Sequence, residues 1–512
     1  VSSAQAGQAS QLVLGELLRR NAARTPTAPA IEFSGRRVTF GELDARADLV
    51  AGALVARGVR AGDRVAIWLF NGLPMVQSLF GVHKLGAVAV PVNFRLSADE
   101  VDFVLEDASV CGLIADVRLR AAAPVPFDGW ELTVDGDGAA SYETALDAAT
   151  PPSHIGPVED GTPAFLMYTS GTTGRPKGAV LTHKNLLVNT SNWQFDVGVH
   201  RDDVYLFGFP LFHIGGLVGL YPFLHMGSLS VMLPSGSFDP AGTLELIART
   251  QATICAFVPA QWQTLVEQPD AGAKLGHVRR ALWGGSPASR PLLIRMSEVL
   301  PASSVMSTFG QTEVTANATF LQPDDAIRKL GSVGRPALTM EYRIVDDADG
   351  DVAPGGVGEI VYRGPTVMSE YLGRPDATAD AFRGGWFHSG DLVREDDEGY
   401  LYVVDRKNDM IISGGENIYP AEVERVLAEH PAVIEAAVFG VPDERWGEVP
   451  VACVVVGQAE PEPSELIDFC STRLARYKRP TSVSVVAELP RNPSGKVLKR
   501  VLRETFKKAT KE

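Results

Sequence analysis

An α/β fold with more than one packed unit is what this sequence predicts, and three observations predict it. Capped helical segments alternate with continuously apolar runs of strand length, as in a parallel sheet covered on both faces. Near the C-terminal fifth that alternation gives way to a smaller α+β pattern. The chain of 512 residues also exceeds what one ordinary hydrophobic core holds.

The elements follow in order. Thr39 to Gly58 reads as a helix: Thr39 and Glu42 have capping-box spacing, Leu43, Ala47, Val50 and Leu54 share a face, and Gly58 can terminate it. Arg64 to Phe70 is an apolar strand, and Gly86 to Val92 repeats the signal after another helical stretch. Ser97 with Glu100 starts the next helix, which leads into a strand over Val110 to Ala115. Ala121 to Pro157, rich in Ala, Pro and Asp, reads as loops and edge structure around a short helix. Tyr400 to Val404 is strand-like, and the charged run Asp405 to Asp409 is placed as a domain boundary. Beyond it, Pro420 suits the first turn of a helix with Val423, Val426 and Leu427 on its apolar face, and Val433 to Val441 reads as a strand. The basic tail, Lys496 to Lys511, reads as a solvated helix face.

Composition narrows the function classes. Hydrophobic residues make up 45% and charged residues 21%, as in ordinary globular domains. With 62 acidic against 47 basic residues the formal charge is -15, which argues against nucleic acid or an anionic membrane as the main partner, so anionic ligands must be held locally. Cys111, Cys255, Cys453 and Cys470 are far apart, without CxxC spacing, and are expected to be free thiols in a reducing, cytosolic setting. No basic-then-apolar leader opens the chain, and no run of about 18 uncharged apolar residues occurs, so neither secretion nor a transmembrane segment is expected. The sequence has no HExxH, no paired Cys/His ligands and no GxSxG elbow, which removes metalloprotease and serine-hydrolase chemistry.

The most informative stretch is Tyr168-Thr-Ser-Gly-Thr-Thr-Gly-Arg-Pro-Lys-Gly178, which follows the apolar run Ala164 to Tyr168. Its glycines Gly171 and Gly174 let backbone N–H groups converge, the hydroxyls of Thr169, Ser170, Thr172 and Thr173 add donors, and Lys177 adds charge, a set suited to the terminal phosphates of a nucleotide. The GxxxxGK[ST] spacing of a Walker A loop is absent.

This loop resembles the phosphate-binding signature of the adenylate-forming superfamily, which comprises acyl-CoA synthetases, peptide-synthetase adenylation domains and luciferases. Further motifs resemble those of the family in order along the chain: Pro210-Leu-Phe-His213, Gly284-Gly-Ser-Pro287, Phe309-Gly-Gln-Thr-Glu313, Gly358 to Tyr371, Trp386-Phe-His-Ser-Gly-Asp391, Asp405-Arg406, Ser413-Gly-Gly-Glu-Asn-Ile-Tyr-Pro420 and Asn492-Pro-Ser-Gly-Lys496.

The resemblance implies a large multi-subdomain N-terminal adenylation domain over 1–405, a hinge over 406–410 centred on Asn408, and a small mobile α+β domain over 411–512. It implies ATP binding by the 169–174 loop, by Gly284, Gly285 and Ser286, and by Phe309, Gly310 and Gln311, where Phe309 stands in place of the usual tyrosine. Thr312 would contact the α-phosphate and Glu313 would hold Mg²⁺. Asp391 and Arg406 would hold the ribose hydroxyls. Lys496 would stabilise charge as a carboxylate attacks the triphosphate. Gly414 and Gly415 would line a pantetheine tunnel, and His213, Phe212, Trp193, Gly215, Gly216, Trp283 and Val314 would surround the acyl group. The implied activity is ATP-dependent acyl-CoA ligation: a carboxylic acid and MgATP give acyl-AMP and pyrophosphate, then CoA gives the thioester and AMP. The two indoles favour a medium-chain or aromatic acid. Two alternatives share these motifs: loading of an acyl or amino acid onto a carrier protein, with no buried acidic residue identified for an amino group because Asp196 and Asp239 read as loop or cap residues, and activation of another nucleophile such as nitrite. A homodimer is compatible with all three.

Overall fold

In the computed structural model the described residues are 12–153, 156–169, 176–286, 288–301, 304–407, 409–413, 416–443, 446–457, 461–471, 473–492 and 495–509. They fall into two compact units, one within Val1–Tyr342 and Tyr362–Phe387, the other within Arg343–Val361 and His388–Glu512. The expected boundary at 405/406 therefore lies inside the second unit as defined by packing.

The first unit holds two large sheets. In the nine-stranded sheet, six parallel strands run in the order Val305–Phe309, Arg280–Trp283, Ile254–Phe257, Val204–Phe207, Leu229–Met232 and Pro29–Phe33, with antiparallel strands on both edges. In the seven-stranded sheet, Pro163–Thr169, Val88–Pro91, Arg64–Trp68, Gly112–Asp116 and Trp130–Val134 are parallel, and Lys177–Thr182 and Glu370–Tyr371 add antiparallel strands at one edge. Parallel strands need crossovers, and helices supply them, so the strands are buried on both faces and read as unbroken apolar runs.

Both capping boxes form: Thr39 with Glu42 opens the helix Phe40–Val55, and Ser97 with Glu100 opens Ala98–Asp107. The expected strand ending at Phe70 stops at Trp68, because Phe70 turns out of the sheet and its ring lies 5.0 Å from that of Phe94. The stretch read as loops and edge structure around a short helix contains the edge strand Trp130–Val134, the fifth parallel strand, and the short helix Tyr142–Asp147.

The second unit has a four-stranded sheet, Glu341–Val345, Val357–Arg363, Phe387–Glu395 and Leu401–Arg406, whose outer strand ends pass the unit limits, and a five-stranded sheet built on the hairpin Val433–Asp443 and Gly447–Val456. Beyond a register shift between Val433 and Glu435, the hairpin alternates its two faces. Val438, Ala452 and Val454 pack under the helices Pro420–Ala428 and Pro463–Ser471, while Ala437, Phe439, Val451 and Cys453 pack against Leu502 and Phe506. The helix Lys499–Ala509 is therefore amphipathic rather than a wholly solvated basic face. All four cysteines are free thiols, three of them buried. Among the described residues no helix is long and apolar enough to cross a membrane.

Candidate active site

The carboxyl ends of parallel strands are where α/β sheets bind ligands, and three of the expected motifs leave from such ends. Strand Pro163–Thr169 runs into the expected phosphate loop and Lys177–Thr182 returns from it, with Thr169 opposite Lys177 in the antiparallel register. Thr169 and Lys177 thus frame the mouth of the loop, while Ser170, Gly171, Thr172, Thr173 and Gly174 lie outside the described residues. The base of the hairpin is anchored: the Tyr168 hydroxyl donates to Asp107 Oδ2 at 2.8 Å, and Arg374 pairs with the same carboxylate.

Strand Val305–Phe309 ends in a tight turn through Gly310 and Gln311 into the single 3₁₀ turn Thr312–Val314. A Cβ at Gly310 would sit 2.2 Å from the carbonyl oxygen of Ala316, so only glycine fits. Thr315 and Ala316 follow at φ 57° and 68°, a left-handed conformation costly for non-glycine residues and of the sort concentrated at functional sites. The Thr315 hydroxyl donates to the carbonyl of Thr366 at 2.6 Å, and Ala318 N–H to that of Phe309 at 2.8 Å, which together hold the turn. Next door, Gly284 is buried at the end of Arg280–Trp283, where a Cβ would lie 3.1 Å from the Thr308 carbonyl; Gly285 has φ 80°, and Ser286 is exposed.

Glu313 is buried, and its Oε1 accepts the Tyr371 hydroxyl at 2.9 Å. Lys177 Nζ lies 5.0 Å from the centroid of the same ring. Lys177 and Glu313 are 136 positions apart in sequence and meet on one tyrosine. The sequence motif ended on Tyr371 but gave it no task, since the bond that defines its role joins residues 58 positions apart. Among the described residues no group of three or more His, Cys, Asp or Glu is arranged to hold a metal. A single buried carboxylate would suit Mg²⁺, which proteins hold through one or two carboxylates together with substrate phosphates.

In the second unit Asp391 and Arg406 are register partners on antiparallel strands, with Arg406 Nε 2.8 Å from Asp391 Oδ1. Asp391 is only 2% exposed, so this is no surface ion pair. Its strand is fixed from behind: Ser389 Oγ donates to the Ile360 carbonyl at 2.5 Å, and Glu359 accepts from Gly390 N–H at 2.9 Å. Arg406 begins a turn in which the N–H groups of Asp409 and Met410 both bond its carbonyl, at 3.0 and 3.2 Å. Asp405 reaches forward, its Oδ2 accepting from Ala421 N–H at 2.8 Å at the start of the helix Pro420–Ala428, whose own N-cap Tyr419 makes no side-chain cap. Burial raises the Asp405 carboxyl above its ordinary value. Asn408, Gly414 and Gly415 lie outside the described residues. Lys496 is exposed in a turn closed by reciprocal bonds with Asn492, its N–H donating to Asn492 Oδ1 and its carbonyl accepting Asn492 N–H, both at 2.8 Å.

The expected acyl-pocket residues divide by their surroundings. Trp193 is buried, donates its indole N–H to Asn317 Oδ1 at 2.8 Å and meets Tyr205 and Phe223 edge-on, so it is a fixed wall beside the 309–317 turn. Val314 is fully buried in the same turn. Trp283 belongs to the main core with Phe257 and Trp262. Phe212 meets Phe94 edge-on at 5.0 Å. His213 is exposed and caps the helix Ile214–Met226, its Nδ1 accepting from Gly215 N–H at 3.1 Å, while Gly216 is required because a Cβ there would lie 2.3 Å from the Pro210 carbonyl. Asp239 is a helix cap, as expected. Asp196 instead ends the helix His183–Asp196 half-buried, bonded by Gln322 at 3.2 Å, and burial pushes its carboxyl up to about 6.

This arrangement, a glycine-bounded turn and a hairpin at the carboxyl ends of parallel strands, is that of an α/β enzyme whose ligand site lies at those strand ends. The chain belongs to the AMP-binding enzyme family, whose main domain matches residues 18–372 and whose C-terminal domain matches residues 422–496. It is 38% identical over 507 residues to a long-chain-fatty-acid–CoA ligase of Mycobacterium tuberculosis, covering 96% of this chain and 98% of that one. It is 40% identical over 497 residues to a feruloyl-CoA synthase of an Amycolatopsis species, covering 96% and 99%. Among solved structures, the o-succinylbenzoate CoA synthetase of Bacillus subtilis in complex with its acyl-adenylate intermediate superposes with a TM-score of 0.85 at 36% identity, covering 95% of this chain and 97% of that chain. The same enzyme is known in complex with ATP and magnesium ion, also at a TM-score of 0.85 and 36% identity, covering 96% and 99%.

Proposed function

We propose that this chain is an AMP-forming acid–thiol ligase that makes an acyl-CoA from a carboxylic acid, ATP and CoA. The observation that carries the reading is the convergence of Lys177 and Glu313 on Tyr371 beside the turn that carries Thr312. One cation and one carboxylate at the mouth of a phosphate hairpin are what a MgATP site needs, and the relatives, fatty-acyl, feruloyl and succinylbenzoyl ligases, supply the reaction class.

In the first step a carboxylate oxygen bonds to the α-phosphorus of ATP and pyrophosphate leaves. Two anions must meet, so the protein's task is electrostatic. Lys177 and the hairpin N–H groups hold the leaving phosphates, and Thr312 and Lys496 hold the α-phosphate oxygens. Bound at Glu313, Mg²⁺ supplies neutralisation of phosphate charge. Asp391 accepts from the ribose hydroxyls and Arg406 orients it. In the second step the CoA sulfur bonds to the carbonyl carbon as its thiol proton is lost, and AMP leaves. The two steps need different groups at one carbonyl, and a pivot at 406–410, with Asn408 at its centre, allows Lys496 to withdraw while Gly414 and Gly415 admit the pantetheine arm. A turn closed on the Arg406 carbonyl follows the strand Leu401–Arg406 at that point. The acid is of bounded size, medium-chain or aromatic, because Trp193 is hydrogen-bonded in place as a wall.

The test is incubation with MgATP, CoA and a panel of aliphatic, aromatic and amino acids, with thioester masses as the readout and Lys496→Ala as the control. A Lys496-dependent thioester is expected. Accumulation of adenylate and pyrophosphate without thioester would transfer the reading to a carrier-protein acceptor, and absence of both with every acid would remove the carboxylate substrate.

A further inference from the structure

We infer that Tyr371 is a positioning residue for the metal-nucleotide site, holding Glu313 by its hydroxyl and Lys177 by its ring face so that the two opposite charges stay apart and turned to the phosphates. This rests on Glu313 being the metal carboxylate.

Two observations carry it. First, the contacts are of different kinds on one side chain: a hydrogen bond of 2.9 Å from the hydroxyl to Glu313 Oε1, and a cation–π contact with Lys177 Nζ 5.0 Å from the ring centroid. Among the described residues no ion pair joins Lys177 to Glu313. Left to themselves in a cleft, an ammonium and a carboxylate would pair directly and cancel the charge that each must present to ligand; an interposed phenol satisfies both without neutralising either.

Second, the tyrosine is fixed by its own backbone. Tyr371 pairs with Ala179, Ser369 N–H bonds the Val180 carbonyl at 3.0 Å, and Leu372 N–H bonds the Gly178 carbonyl at 2.8 Å, which ties the segment to the strand that begins at Lys177. Three residues earlier Met368 N–H bonds the carbonyl of Glu313 itself at 2.7 Å. One short segment thus clamps the backbones of both partners, and its tyrosine joins their side chains.

The phenol is the donor in its bond to Glu313. A space-filling aromatic needs no such bond, and phenylalanine would then serve equally.

The experiment is metal binding rather than turnover alone: Mn²⁺ titrated into the full-length protein with α,β-methylene-ATP, read by electron paramagnetic resonance, for wild type, Tyr371→Phe, Glu313→Gln and the double variant. Thermal melts establish folding. Tyr371→Phe is expected to weaken Mn²⁺ binding about tenfold, the worth of a hydrogen bond to a charged group, with an unchanged melting temperature and nearly unchanged metal-free nucleotide affinity. Glu313→Gln is expected to weaken it more, and the double variant no further. Tyr371→Leu, which removes the ring under Lys177, is expected to lower metal-free nucleotide affinity as well. Wild-type Mn²⁺ binding in Tyr371→Phe, with Glu313→Gln impaired, overturns the inference and leaves the ligase reading standing. Wild-type binding in Glu313→Gln overturns both the metal assignment and the inference built on it.

Discussion

Arg406 Nε lies 2.8 Å from Oδ1 of Asp391, across two antiparallel strands that set the two residues directly opposite one another. The carboxylate is thereby oriented before any ligand arrives, and the guanidinium is pinned at the same time by the Ser389 carbonyl at 3.2 Å. Lysine cannot reproduce that fork. Arg406→Lys is expected to raise KM for ATP by about ten- to a hundredfold, the range for losing a charged hydrogen bond, with a smaller effect on KM for the acid; initial-rate kinetics with each substrate varied in turn checks it.

Lys496 is assigned to the first step alone. Lys496→Ala should slow adenylation by about 10²- to 10³-fold, the usual cost of removing one group that stabilises transition-state charge. Thioester formation from synthetic acyl-AMP and CoA should survive. Equal loss in both half-reactions, measured separately by rapid quench, would deny the lysine that specific part.

Trp193 gives a stability prediction and a specificity prediction that come apart. Trp193→Phe leaves the buried Asn317 oxygen without its indole donor and should cost about 1–3 kcal/mol in urea unfolding. Trp193→Ala removes the wall proposed for the acid, and the profile of kcat/KM against acid length should move toward longer chains. An unmoved profile would place the acid elsewhere.

Acid should destabilise the first unit before it touches catalysis. His83 and His183 lie wholly buried with ring centroids 5.6 Å apart; burial holds His183 down to about 4 and, with His183 as neighbour, His83 well below its ordinary value. Both are neutral when folded and take up protons when unfolded, so this stability is complete above about pH 6.5, the unfolded value, and is lost as pH falls from there toward 4. Two such groups give a slope of roughly 2.7 kcal/mol per pH unit within that window. Asp196, raised to about 6, works in the opposite sense, gaining a proton on folding, and offsets part of it. Urea midpoints from pH 7.5 to 4.5 should fall, less steeply in His183→Gln and more steeply in Asp196→Asn.

What the sequence disclosed was governed by the distance over which each feature acts. Capping boxes at Thr39 and Ser97 join residues three apart, so their spacing alone announces them. The parallel strands announced themselves because burial on both faces leaves no polar alternation. The strand Trp130–Val134 was legible only as edge structure: Glu131 and Thr133 interrupt its apolar residues, and it sits at the edge of its sheet. Residues 343–361 were read with the large domain because nothing local says that Val357–Arg363 packs with strands after residue 387. The site was legible as an ordered set of motifs. Tyr371 had no role there, since its meaning lies in Lys177 and Glu313 together.

Asp405 caps a helix through the N–H of Ala421, sixteen residues later and on the far side of the proposed pivot. A cap supplied across a pivot cannot survive rotation about it. If the segment 406–410 turns as proposed, each turnover would break the Asp405–Ala421 bond and remake it, at about 1 kcal/mol for a helix N-cap. The rate at which the proposed pivot turns would then be set in part by one carboxylate, a latch next to Arg406 and outside Asn408. Substrate turnover and helix fraying would share a clock, and an enzyme without that latch would pass between its two half-reactions faster while holding each of them less firmly.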